Sequence, residues 1–211
     1  MTNNGSALSA PGQKKYELLK DQLILFGDTR LYRIRALRDF GDVKAGDLGG
    51  YVEAEKNLSH SGTAWVADDA RSFGDAQILD AGRLSDAAWA FGNAKLRDRG
   101  RVFGNAWIFA DTEICDAARI GGNAKIGGKT RIGGNVLISG DTHVFGNVKI
   151  GGKVQLSDRL LISDDTQIPG NPSVSRAWLI AGASVTAVGI LVCATVRPAS
   201  ALRRLLEHTK I

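Results

Sequence analysis

A pattern of aliphatic and polar positions repeats every six residues from Thr63 to Gly182 without a gap, giving twenty successive blocks such as DAQILD, NAKLRD, NAWIFA and NAKIGG. Counting each block from Thr63, position four is aliphatic almost throughout, from Val66, Ile78 and Leu84 through Ile126 to Ile180; Ser72 and Ala90 are the exceptions. Position two is mostly small, as at Ala64, Ala76, Gly82, Ala94 and Thr112. Side chains alternate along a strand, so positions two and four share one face. Positions six and one are Gly-Asn, Gly-Asp, Gly-Lys or Asp-Ala, which is turn chemistry. Each block is therefore one short strand and one corner, and a period this short and regular predicts a solenoid.

A flat sheet of such strands would leave open edges and an uncovered apolar face. Coiling removes both, because each strand pairs with its equivalent one turn away while the large and small residues fill a narrow interior. Three blocks per coil give 18 residues per turn and a triangular prism; about seven coils at ~4.8 Å each make a rod of roughly 30–35 Å. Upstream, Val52 and Leu58 extend the period at position two, with Gly50 and Gly62 at position six. Leu31–Leu37 alternates as a strand and is expected to pair with Tyr16–Phe26 in a small antiparallel cap over the coil end.

The pattern of an aliphatic residue followed by Gly-x-x-small-x, clearest over residues 126–137 (IGGNAKIGGKTR), resembles the hexapeptide repeat of left-handed parallel β-helices. The left hand is what that resemblance implies. The stretch RLYRIRALRDFGDVKAGDLGGYVEAE (residues 30–55), leading into the repeats, is similar to a group of phage and prophage β-helix proteins, over about Leu31 to residue 170. That group supplies no catalytic residues to carry over. The expected layout is a disordered leader at 1–13, a β cap at 14–50, the β-helix at 51–182, and a capping or oligomerisation segment at 183–211.

Composition agrees with one globular domain: 44% hydrophobic, 23% charged, with 26 Gly and four Pro. Cys115 and Cys193 provide neither a disulfide framework nor a metal spacing, and residues 1–13 lack the pattern of a signal peptide. A cytoplasmic location is expected, that of the host cell if the gene is phage-borne. The net charge of +5 includes five basic residues and one acid between Arg176 and Ile211. The repeat body is close to neutral, which argues against a nucleic-acid footprint.

Outward positions sort by face, every third block returning to the same one. One face carries Phe73, Phe91, Phe109 and Phe145 at position five, with Gly127 interrupting, and Trp89 and Trp107 at position three, followed by Leu161 and Leu179. An apolar stripe of this kind is what interfaces use as anchors. The candidate occupants are the chain's own termini, a second copy and a foreign protein; left-handed β-helices commonly form trimers, so the resemblance implies self-association as a trimer or dimer. A second face carries Arg83, Arg101 and Arg119, and the third Lys95, Arg97, Arg131 and Lys149. These either grip phosphate or an acidic protein, or are solvated faces with interspersed acids. Asp80, Asp98 and Asp116 stack at one corner, to hold a cation or to accept turn amides.

The resemblance also implies two enzyme chemistries, acyl transfer with a His base at subunit boundaries and zinc hydration. Only His60, His143 and His208 are present. Zinc hydration needs three converging ligands, and a coil position, a residue 83 earlier and a tail residue do not supply them within one subunit. His143 stands on the aromatic face, and no nucleophile motif surrounds a Ser, Cys or Asp. No cofactor or bound metal is expected. Ala177–Val196 is twenty residues without charge between Arg176 and Arg197, which fits either buried β structure or a membrane span. Pro198–His208 has the pattern of an amphipathic helix with Leu202, Leu205 and Leu206 on one side. The expected function is non-catalytic: an oligomeric phage-type binding protein that engages a host protein, such as a component of a defence system. The alternatives are an acyltransferase with intersubunit sites and a membrane-tethered scaffold.

Overall fold

The computed structural model describes residues 14–170, with 173–174 and 179–181 as backbone. The leader at 1–13, Cys193, His208, the uncharged segment beyond Ala181, the 183–211 segment and the Pro198–His208 helix lie outside the described residues.

Each hexad forms a two-residue strand and a turn, and three strands complete a coil. Strands one coil apart pair in parallel, so Arg83, Arg101 and Arg119 lie in register on one sheet, and Trp89 and Trp107 on another. The result is a triangular parallel β-helix with sheets of ten, seven and six strands. Position four is the interior: Ile78, Leu84, Ile108, Ile126 and Ile138 are fully buried. Position two packs small residues such as Ala76 and Ala94 beside them. Where Thr replaces Ala the hydroxyl needs a partner inside the prism. Thr112 donates to the Phe109 carbonyl at 2.7 Å and Thr130 to the Gly127 carbonyl at 2.7 Å.

The corners turn through positive φ at position six, occupied mostly by Gly or Asp, as at Asp80 (55°) and Gly122 (67°). Those residues visit this region most readily. At Gly122 a Cβ would also lie 2.6 Å from the Gly140 amide nitrogen of the next coil. At Gly122 a side chain is therefore excluded by steric contact as well as disfavoured by the dihedral.

The N-terminal cap is a hairpin of β1 (Tyr16–Phe26) and β2 (Thr29–Ala36), with β2 antiparallel to β3 (Leu48–Val52). β3 then pairs in parallel with Arg71–Ser72, so the cap continues the aromatic sheet. The expected cap is present, but the first coil differs from the sequence count. Val52 faces Ser72 and Leu58 faces Ile78, so this coil is longer by two positions than those that follow. Val52 and Leu58 thus occupy the large interior position rather than position two, and Gly50 takes the small position, where a Cβ would lie 2.4 Å from the Ala70 carbonyl oxygen.

Polar side chains plug this end. Fully buried Lys15 donates to the Ala64 carbonyl at 2.7 Å and to the Ser61 carbonyl at 3.4 Å. The Tyr16 hydroxyl donates to the Leu58 carbonyl at 2.7 Å. Asn57 donates to the Gly74 and Ala76 carbonyls. These bonds satisfy carbonyls that have no coil above them. Burial, then the neighbouring Arg38 and Arg83, lowers the Lys15 ammonium to a pKa of about 8, and burial raises the Tyr16 phenol.

Candidate binding faces

The aromatic face holds two columns of rings. Phe73, Phe91 and Phe109 stack at 5.2 Å with planes within 7° of parallel, and Trp89 stacks on Trp107 at 5.0 Å. The columns meet edge to face, Phe73 with Trp89 at 6.1 Å and Phe91 with Trp107 at 6.2 Å. Parallel pairing at the ~4.8 Å strand spacing enforces this stacking. Cations close the Trp column: the Arg71 guanidinium lies 4.8 Å from the Trp89 ring centre and the Lys125 ammonium 4.8 Å from that of Trp107. All these rings are half-buried.

Gly127 does not interrupt the ladder. The Phe109 ring leans over it, where a Cβ would be 2.5 Å away, and reaches Phe145 at 6.0 Å. The missing side chain is the space the ring occupies. At the cap, Phe26 covers the first rungs, 5.4 Å from Phe73 and 5.0 Å from Trp89. On the same strand Leu23 and Leu25 stay exposed, Leu25 at 66%. Half-buried Leu161 pairs with Leu179 along this sheet. His143 is half-buried 5.9 Å from Phe145; burial, then Lys125, lowers its pKa, and Asp141 opposes the shift. His60 belongs to the cap end instead: it stacks on Tyr16 at 4.3 Å, and its Nδ1 accepts from the Lys15 amide at 3.1 Å.

On the basic faces cations and carboxylates are divided between strands and corners. Over residues 63–170 the outward strand positions hold nine Lys or Arg and a single carboxylate, Glu113, whereas the corner positions six and one hold twelve Asp and four Lys or Arg. Corner Asp has a folding reason. The Asp98 amide donates to the Asp80 carboxylate at 3.2 Å, the Asp116 amide to Asp98 at 3.1 Å, and the Gly134 amide to Asp116 at 2.7 Å. Asp68 and Asp86 serve the Asp86 and Gly104 amides in the same way on another corner. The stack of carboxylates is thus a chain of turn acceptors. Asp98, Cys115 and Asp116 bring possible ligand atoms within 4.8 Å of one another, yet Arg97 lies 3.0 Å from Asp98. Cys115 is buried, and burial and then Asp116 raise its thiol pKa.

On the arginine face, Arg83 pairs with Asp42 of the cap, Arg119 lies 6.0 Å from the Phe103 ring centre, and Arg101 is exposed. Phe103, a residue the sequence reading passed over, leans on Gly121 as Phe109 does on Gly127. The signal was legible: an aromatic at position five with Gly at the same position one coil later. On the third face Glu113 joins Arg97 at 2.5 Å to Arg131, while Lys95 and Lys149 are exposed. A cleft of about 450 Å³ lies beside Arg131, Lys149 and Cys115, with Gly133 and Gly151 in its lining.

No family model and no curated protein sequence matches this chain. Among the described residues, no helix is long and apolar enough to cross a membrane.

Proposed function

We propose that this chain works by binding another protein, and that it does so without catalysing a reaction. The observation that supports this reading is the aromatic face: two ring columns, continued by Phe145 and Leu161 and without a carboxylate at any outward strand position from Arg71 to Ser163. Folding requires only the interior and the corners to be apolar or turn-forming, so a half-buried outward stripe of this extent suits an interface. Because the rings already stack on one another, they offer edges and a flat, preorganised surface at low cost in side-chain entropy. The hexapeptide-type repeat and the likeness of residues 30–55 to phage-borne, left-handed β-helix proteins make a host protein in the cytoplasm, such as a component of a defence system, the partner to seek. The same reading includes a homo-oligomer.

The test compares capture by the tagged full chain with capture by a Phe91→Ser/Trp107→Ser variant of unchanged circular dichroism. A partner recovered with the parent, lost with the variant and re-bound as a purified protein supports the reading. Identical recoveries from both would sink it.

A further inference from the structure

The charge segregation produces two ladders of opposite sign on neighbouring parts of the surface. Arg83, Arg101 and Arg119 stand in register on consecutive coils. Asp80, Asp98 and Asp116 stand in register at the corner that precedes them. Each Asp is three residues before its Arg. Three residues of an 18-residue coil rising ~4.8 Å correspond to ~0.8 Å of height, so the rungs of the two ladders are level.

Within one chain these ladders are left incompletely paired. Guanidinium groups one coil apart repel, and the neighbouring Arg101 acts with burial to lower the Arg83 pKa. Among the described residues neither Arg101 nor Arg119 meets a carboxylate, and both are exposed. The carboxylates of Asp80 and Asp116 each use one oxygen for the amide one coil on, and both residues are exposed. Asp98 has Arg97 as well, and Arg83 has Asp42 of its own cap, so the unanswered charge lies on Asp80 and Asp116 of one ladder and on Arg101 and Arg119 of the other.

We propose that a second copy of this chain docks on this surface, side by side, with its coils parallel and level, so that the arginine ladder of each copy meets the aspartate ladder of the other. A twofold axis parallel to the rod exchanges the two columns laterally and preserves height, which brings all rungs of opposite sign together. A twofold axis across the rod would instead reverse height and place arginine on arginine. Since the ladders match without a slide along the axis, the contact closes as a ring and does not propagate as a filament. The contact leaves the aromatic face open. It rests on the self-association part of the binding reading and not on the identity of any foreign partner.

The test is the mass of the full chain by light scattering at about 0.05 M and about 0.5 M salt, where screening separates charge pairing from apolar contact. Two variants retain the fold: Arg101→Glu/Arg119→Glu, at exposed positions, and Asp80→Asn/Asp98→Asn/Asp116→Asn, which keeps an amide acceptor and a side chain tolerant of positive φ. We expect a dimer at low salt, at least tenfold weaker at high salt, and monomers for both variants at concentrations where the parent is dimeric. A monomeric parent at low salt, or a dimer indifferent to both variants, overturns the proposal. If the dimer is lost only in Phe91→Ser/Trp107→Ser, self-association belongs to the aromatic face; this inference then fails while the binding reading stands. If a monomeric parent captures an acidic protein that the arginine variant does not, the ladder has a foreign occupant and the second copy is excluded.

Discussion

The aromatic face and the arginine face share one backbone, one strand spacing and one register, yet identical neighbours have opposite consequences on them. Rings repeated at the strand spacing attract: Trp89 and Trp107 stack at 5.0 Å, and the columns support each other edge to face. Guanidinium groups repeated at the same spacing repel, and the nearest help comes from outside the ladder, from Asp42 and the Phe103 ring. A parallel β-helix therefore amplifies whatever it repeats. An aromatic ladder strengthens the rod that carries it, whereas an arginine ladder weakens it slightly and gains only when a partner brings carboxylates.

Substitutions on the two faces should separate these consequences. Trp107→Ala removes a ring held by Trp89, Phe91 and Lys125, and is expected to lower unfolding free energy by about 2 kcal/mol. Arg101→Ala should stay within about 0.5 kcal/mol of the parent. Urea unfolding of both variants measures the contrast, and equal losses would break it.

Glycines sharpen the comparison at the next level. In Gly127→Ala the added methyl meets the Phe109 ring and disconnects it from Phe145, for an expected loss of about 1–3 kcal/mol. Gly151→Ala has nothing within 4 Å of the new Cβ and should change the urea midpoint little. A neutral Gly127→Ala would mean that the Phe109 ring does not close the gap.

A smaller effect tests the interior behind the aromatic face. Ser72 is buried at a large-residue position, and its hydroxyl has no hydrogen-bond partner among the described residues. Ser72→Ala should raise stability by about 1 kcal/mol, visible as a higher melting temperature, because an unanswered polar group is removed. A lower melting temperature would show that the hydroxyl is satisfied.

The buried cation of the cap offers the last contrast. Lys15 has a folded pKa of about 8 against an ordinary 10.5. Across that interval the unfolded chain binds more protons than the folded one, so stability should rise with pH. Below about 8 both states are protonated and this contribution is flat. Above about 10 the raised Tyr16 phenol acts in the opposite direction, since the unfolded tyrosine ionises first. Urea midpoints between pH 7 and 11 should therefore pass through a maximum that Lys15→Met displaces; a monotonic fall from pH 7 would contradict it.

Much of the architecture was legible because one residue type per position carries it. Aliphatic position four, small position two and Gly or Asp corners imply the coil, the strand spacing and the sorting of Phe73, Phe91, Arg83 and Arg101 onto faces. The first coil was less legible, since Val52 and Leu58 keep the arithmetic of the period while pairing with Ser72 and Ile78, beyond the reach of a regular coil. The extra length is absorbed between Ser59 and Thr63, where Lys15 meets His60 and the Ser61 carbonyl, and no local pattern announces such long-range partners. Gly127 appeared as a break in the ladder because a missing side chain looks like a gap until the ring of the previous coil is seen to lie in it.

The sequence by itself determined the period, the prism and the composition of each face, because a six-residue repeat imposes the same short-range demands twenty times. Tertiary structure decided what the faces became. Which rings close on one another, which carboxylates answer amides, and which arginines remain without a carboxylate depend on contacts between successive coils and with the cap. Those contacts arise from spacing in three dimensions, which the order of residues within one hexad does not specify.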